Sequence, residues 1–250
     1  MPPKERFRAM FTSPKIAPSI LSADFMNMER DVAEIEAGGA SFVHVDVMDG
    51  HFVPNLTLGV PFVKQLKKVT KLPLDVHLMI SNPLQQLPWF LECGPDMVSV
   101  HAEALDEPTG EFDRAIDMIH EAGAKACLAL KPDMRASVVE PYIAKLDMVL
   151  VMSVYPGFSG QKFIEGTEKK VARVVEIARA AGVSPLIEVD GGLGVNDPTR
   201  AVAAAGCDVL VAGSACFGQA DRAAAIAGIA QTAAEAQASG FVASWEGREA

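Results

Sequence analysis

Short apolar, β-rich runs recur along the chain, and longer stretches with a helical spacing of apolar residues separate them. Such alternation predicts strands linked by helices. The predicted strands are Ile16–Ser19, Phe42–Asp46, Leu74–Met79, Met97–His101, Ala126–Leu130, Met148–Met152, Leu186–Asp190 and Val209–Gly213. Helices are predicted between them, among them "DFMNMERDVAEIEAGG", "GTEKKVARVVEIARAAG" and "DPTRAVAAAG". The first opens on Asp24 as an N-cap and closes on Gly38-Gly39. Segments ending "EAGG", "ECG", "EAG" and "AAG" repeat one device, a glycine that stops the helix. Eight strand–helix units predict an α/β protein, a single-domain (β/α)8 TIM barrel over residues 15–235, with tails at 1–14 and 236–250. A doubly wound sheet is the alternative, but no G-x-G-x-x-G follows the first strand.

A barrel of this kind places functional groups at the C-terminal ends of its strands. Polar or unusual residues stand there: Ser19, His44-x-Asp46-x-Met48, His77-x-Met79, Met152-Ser153, Glu188-x-Asp190 and Gly213-Ser214. Within "FVHVDVMDGHFVPN" (42–55), strand alternation sends His44, Asp46 and Met48 one way and Val43, Val45 and Val47 the other. A histidine and a carboxylate on one face between valines need partners. Each histidine alone reads as a core hydrogen-bonding group. Together, His44, Asp46, His77 and Asp190 suit a divalent transition ion better than magnesium, which prefers oxygen ligands. His101 is either a supporting group or merely structural.

Glycine-rich loops form a second theme: "PGFSG" (156–160) after strand six, "DGG" after strand seven and "AGS" after strand eight. Backbone amides in such loops can approach a phosphate closely, although tight turns need glycine too. Met48, Met79 and Met152 fall at or just past strand ends. Methionine is usually core filler, but at a rim these three suit an apolar cap over the reaction centre.

Bulk properties narrow the partners. A formal net charge of -10 argues against nucleic-acid binding, and no apolar run reaches transmembrane length. The start "MPPKERFRAMFTSPK" lacks a signal peptide's hydrophobic core and reads as a partly ordered tail. Cys93, Cys127, Cys207 and Cys216 form no C-x-x-C pair, so reduced thiols and a cytoplasmic location are expected.

The motifs "IAPSILSADF" (16–25), "HVDVMDGHFVPNLTLG" (44–59), "DVHLMI" (75–80), "VMSVYPGFSGQKF" (151–163), "EVDGG" (188–192) and "VAGSACF" (211–217) together resemble the ribulose-phosphate 3-epimerase family. The resemblance implies one divalent transition ion per chain (zinc, iron, cobalt or manganese) on His44, Asp46, His77 and Asp190. It makes Asp46 and Asp190 the acid–base pair for inversion at carbon 3 of a phosphorylated ketopentose, D-ribulose 5-phosphate giving D-xylulose 5-phosphate. Ser19 and His77 would contact the substrate, with its phosphate on Gly157, Phe158, Ser159, Gly160, Gly191, Gly192, Gly213 and Ser214. A homo-oligomer is also implied. The stretch "EALDEPTGEFDRAI" after strand four, Tyr155 and the N-terminal extension depart from the family pattern. Three rivals remain open: an allulose 6-phosphate epimerase, a Schiff-base aldolase using Lys131, and a non-catalytic phosphate-binding barrel.

Overall fold

The computed structural model describes residues 13–240. Most of the tail expected over 1–14, and of that expected over 236–250, lies outside the described residues. Eight parallel strands form one sheet: β1 Lys15–Pro18, β2 Val43–Met48, β3 Leu74–Met79, β4 Met97–His101, β5 Lys125–Leu130, β6 Met148–Met152, β7 Leu186–Asp190 and β8 Val209–Ala212. Their order, β1-β8-β7-β6-β5-β4-β3-β2, curls into a barrel. The seam between β1 and β2 is joined by the bridge Ser19↔His44.

The helices are α1 Met28–Ala37, α2 Val60–Val69, α3 Pro83–Leu91, α4 Glu111–Glu121, α5 Thr167–Ala180, α6 Asp197–Ala204, α7 Ser214–Phe217 and α8 Arg222–Ser239. The last runs past residue 235, burying Ala236. No helix among the described residues is long and apolar enough to cross a membrane.

Three local expectations are corrected. Strand β2 begins and ends later than Phe42–Asp46. It continues because Met48 still pairs with Met79, and Thr57 Oγ1 both accepts from Met48 N at 2.9 Å and donates to Asp46 O at 2.6 Å. Asp24 does not cap α1. Its carboxylate accepts from Met26 N at 3.0 Å and Asn27 Nδ2 at 2.7 Å, a local turn that leaves Asn27 at the cap. The β5–β6 connection carries only a 3-10 turn, Ala136–Val139. Pro141, which has no backbone N–H to extend a helical ladder, follows closely after it.

Both faces of the strands are buried, as a parallel barrel requires. Val43, Val45 and Val47 face outward into the same apolar layer as Val63 and Leu66 of α2. A separate interior cluster includes Met97, Cys127, Met148, Leu150, Leu186 and Val209. This apolar filling lets the polar residues of β2, β3 and β7 sit at fixed positions. The four cysteines are free and buried.

Candidate active site

Alternation puts His44 and Asp46 on the inward face of β2, and register places Asp46 beside His77 on β3. Asp190 ends β7 beside Met152. Ligand atoms of His44, Asp46, His77 and Asp190 all lie within 4.8 Å of one another. His44 Nε2 is 3.5 Å from Asp46 Oδ1 and 3.9 Å from Asp190 Oδ2, while His77 Nδ1 is 3.2 Å and 3.8 Å from the same two oxygens. His44 Nε2 is buried and has no hydrogen-bond partner. A nitrogen stranded in a dry core is costly. A divalent cation held by these four residues would satisfy it, so the donor set fits a metal ion.

The charges are set against one another. Burial opposes ionising Asp46, but His44 and His77 outweigh it and hold its carboxyl well below the usual range. Burial and the Asp46 carboxylate push Asp190 up to about 6. Burial opposes charging His44, yet the Asp75 and Asp46 carboxylates hold it well above the ordinary histidine value. One carboxylate is thus kept charged while its neighbour is biased towards holding a proton.

A further layer braces these groups. Asp75 Oδ2 lies 2.6 Å from His44 Nδ1, and Glu188 Oε1 lies 3.8 Å from it. Burial and the Asp75 carboxylate push Glu188 well above its ordinary range. Ser19 Oγ donates to Asp46 Oδ2 at 2.6 Å. On the far side, His77 Nε2 meets His101 Nε2 at 2.9 Å, and His101 Nδ1 meets Glu103 Oε2 at 3.1 Å. Burial pulls His101 down to about 4.

Above the cluster opens a cavity of about 380 Å³. Its lining includes Ser19, Asp46, Met48, Met79, Met152, Gly157, Phe158, Ser159, Gly160, Asp190, Gly191, Gly192, Gly213 and Ser214. His44 and His77 lie fully buried and do not line it. Met48 and Met79 pack together, whereas Met152 belongs to the barrel interior. The loop after β6 is tied down: Asn55 Nδ2 donates to Gly157 O at 2.7 Å, and the Ser22 and Ser159 hydroxyls meet at 2.5 Å. Glycine at 191 and 192 has a steric reason independent of any anion. Both have positive φ, and a Cβ would come within 2.5 Å of Val154 or 2.6 Å of Phe163 N.

Asp75, Glu188 and Glu103 were not assigned roles from sequence. Asp75-x-His77 and Glu188-x-Asp190 follow the alternation that exposed His44-x-Asp46, so that signal was present for two of them. Leu21 and Gln161, inside the quoted motifs but given no role, also line the cavity, as do Asn196 and Gln219, which lie outside every motif.

Fold and geometry together define a (β/α)8 barrel with a cavity and a cluster of ionisable groups at the C-terminal strand ends, where barrels of this class carry their active sites. Residues 15–217 match the family described as "Ribulose-phosphate 3 epimerase family". The chain is 48% identical over 217 residues to "Ribulose-phosphate 3-epimerase" of Bacillus subtilis, covering 86% of this chain and 97% of that protein. It is 47% identical over 216 residues to "Ribulose-5-phosphate-3-epimerase, chloroplastic" of Arabidopsis thaliana, covering 86% and 75%. The chain belongs to the ribulose-phosphate 3-epimerase family and is an enzyme, an epimerase. Among solved structures, 3-hexulose-6-phosphate synthase from Salmonella typhimurium superposes with a TM-score of 0.61 at 18% identity, covering 90% of this chain and all (100%) of that one. KGPDC from Streptococcus mutans superposes at 0.65 with 13% identity, covering 89% and 98%. At such identities these two share the fold alone.

Proposed function

We propose that this chain interconverts D-ribulose 5-phosphate and D-xylulose 5-phosphate by inverting carbon 3, with Asp46 and Asp190 as the acid–base pair. The observation that carries this reading is geometric: the carboxyl groups of Asp46 and Asp190, brought from β2 and β7, belong to one His/Asp cluster and both line one cavity. Inversion next to a carbonyl needs one group to remove a proton and another to return one on the opposite face. Either aspartate can serve as base, which suits a reversible reaction.

His44, Asp46, His77 and Asp190 would hold the divalent ion, zinc, iron, cobalt or manganese, which when bound stabilises negative charge on the enediolate oxygens. Ser19 orients the Asp46 carboxylate through their 2.6 Å hydrogen bond and stands at the cavity wall to contact the substrate. Gly157–Gly160, Gly191, Gly192, Gly213 and Ser214 would take the phosphate on backbone amides and hydroxyls. Met48, Met79 and Met152 would exclude water from the reacting carbon. Lys131 does not line the cavity; its Nζ lies 3.7 Å from the centroid of the Phe52 ring, which speaks against a Schiff base there. Exposed Met26, Leu56 and Val195 support the expected homo-oligomer, and the free cysteines support a reducing, cytoplasmic setting.

A coupled assay for xylulose 5-phosphate, run beside one with allulose 6-phosphate, tests the reading. Faster turnover of the pentose phosphate supports it. Turnover of the hexose phosphate alone would replace it.

A further inference from the structure

His77 and His101 come from adjacent strands, both rings are fully buried, and their Nε2 atoms lie 2.9 Å apart. Two such nitrogens share a hydrogen bond only if one carries the proton and the other a lone pair. The remaining contacts decide which. His101 Nδ1 lies 3.1 Å from Glu103 Oε2, and Glu103 Oε1 accepts the Lys131 backbone N–H at 2.8 Å. Burial works against ionising Glu103, but the hydrogen bond from His101 holds its carboxyl below the ordinary range.

We propose that Glu103 is a positioning residue: acting through His101, it fixes His77 in the Nε2–H tautomer and so presents the Nδ1 lone pair as a ligand for the divalent ion. The inference rests on the metal reading given above. A carboxylate only accepts, so His101 carries its proton on Nδ1. A neutral imidazole has one N–H, so His101 Nε2 is an acceptor. His77 must then donate from Nε2, which leaves Nδ1 bare, facing Asp46 Oδ1 at 3.2 Å. His44 reaches the same end by a shorter path, with Asp75 on Nδ1 and Nε2 turned to the cluster. Phe52 packs on the His101 ring with centroids 4.8 Å apart and keeps the relay in place.

Glu103→Gln breaks the logic with little change in shape. Glutamine has one acceptor oxygen and one donor NH2, yet two N–H groups point at this side chain. Turning NH2 towards His101 moves that ring's proton to Nε2 and drives the proton of His77 onto Nδ1, where it blocks ligation. Turning NH2 towards Lys131 sets donor against donor. Partners of metal-ligating histidines typically contribute 10–100-fold in metal affinity.

The test is zinc affinity by chelator competition, with histidine tautomers read by ¹⁵N NMR in the zinc-loaded protein. Glu103→Gln should weaken zinc binding about 10–100-fold, and Glu103→Asp should recover part of the loss. Wild-type His101 should carry its proton on Nδ1 and His77 on Nε2. Wild-type zinc affinity in a folded Glu103→Gln variant, or a His101 proton on Nε2 in the wild type, would overturn the relay while leaving the metal reading intact. A lowered unfolding midpoint with unchanged zinc affinity would mark Glu103 as merely structural. Failure of the wild type itself to bind any of zinc, iron, cobalt and manganese would remove both readings.

Discussion

Strands β2, β3 and β7 turn His44, Asp46, Asp75, His77, Glu188 and Asp190 into the barrel, whereas β5, β6 and β8 contribute Cys127, Ala129, Met148, Leu150, Val209 and Val211. Both sets obey the same alternation, and nearly every residue in them is buried. The difference lies in what burial costs. Apolar side chains gain by leaving water, at about 25 cal/mol per Å². Buried ionisable groups lose hydration and must be paired or bound to a cation. The apolar set therefore holds the barrel together, while the polar set, β7 standing apart from β2 and β3 in the strand order, stores unmet electrostatic demand at the cavity floor. That division predicts separable losses.

The largest expected effect is on chemistry in the polar set. Asp46→Asn and Asp190→Asn should each lower kcat by about 10²–10⁴-fold, the usual scale for acid–base catalysis. Metal-free Asp190→Asn should nevertheless be at least as stable as the metal-free wild type at pH 8, because the amide removes a buried charge. Thermal unfolding and steady-state rates on the same preparations check both halves.

Leu150→Ala should do the reverse. A fully buried interior leucine typically contributes about 2–5 kcal/mol against alanine. Its Tm should fall while its Michaelis constant stays near wild type. A variant that loses substrate affinity but no stability would erase the distinction between the two sets.

Ser214→Asp tests the rim. Ser214 is exposed and lines the cavity, so the fold should tolerate a carboxylate there. Like charges about 4 Å apart repel by roughly 4 kcal/mol near a protein surface. The Michaelis constant should rise at least about tenfold, with Tm unchanged. Gly192 is a poor place for this test, because a Cβ would meet Phe163 N at 2.6 Å.

The smallest effect is on pH dependence. Asp190 and His44 have raised pKa values, Asp190 at about 6, and each must lose its proton to bind a cation. Without a cation, the stability contributed by protonated Asp190 is present below its unfolded pKa and is lost as pH rises through about 6. Zinc affinity should rise from pH 5 to pH 8, and zinc should raise Tm more at pH 8. A flat profile would mean that neither proton is displaced.

Much of this division was legible in the chain. Period-two alternation marked His44, Asp46 and His77, and glycine-rich segments marked the rim. What stayed hidden depends on choices that local pattern does not encode. Asp24 took a turn of its own instead of capping α1. After His101 the chain bends into a 3-10 turn that returns Glu103 to that ring, which no spacing rule announces. The contact between Ser22 and Ser159 joins residues 137 positions apart and exists only once the barrel closes. Between β5 and β6 the expected helix is replaced by the 3-10 turn Ala136–Val139.

The central claim is that Asp46 and Asp190 each serve one face of carbon 3. Proton exchange at that carbon in deuterated water, with metal occupancy checked first, tests it directly. Metal-loaded Asp46→Asn and Asp190→Asn should each fail to invert the centre. Each should still exchange the proton of one epimer, the epimer depending on which aspartate remains. If both variants keep metal and epimerise near the wild-type rate, the two-aspartate account is wrong.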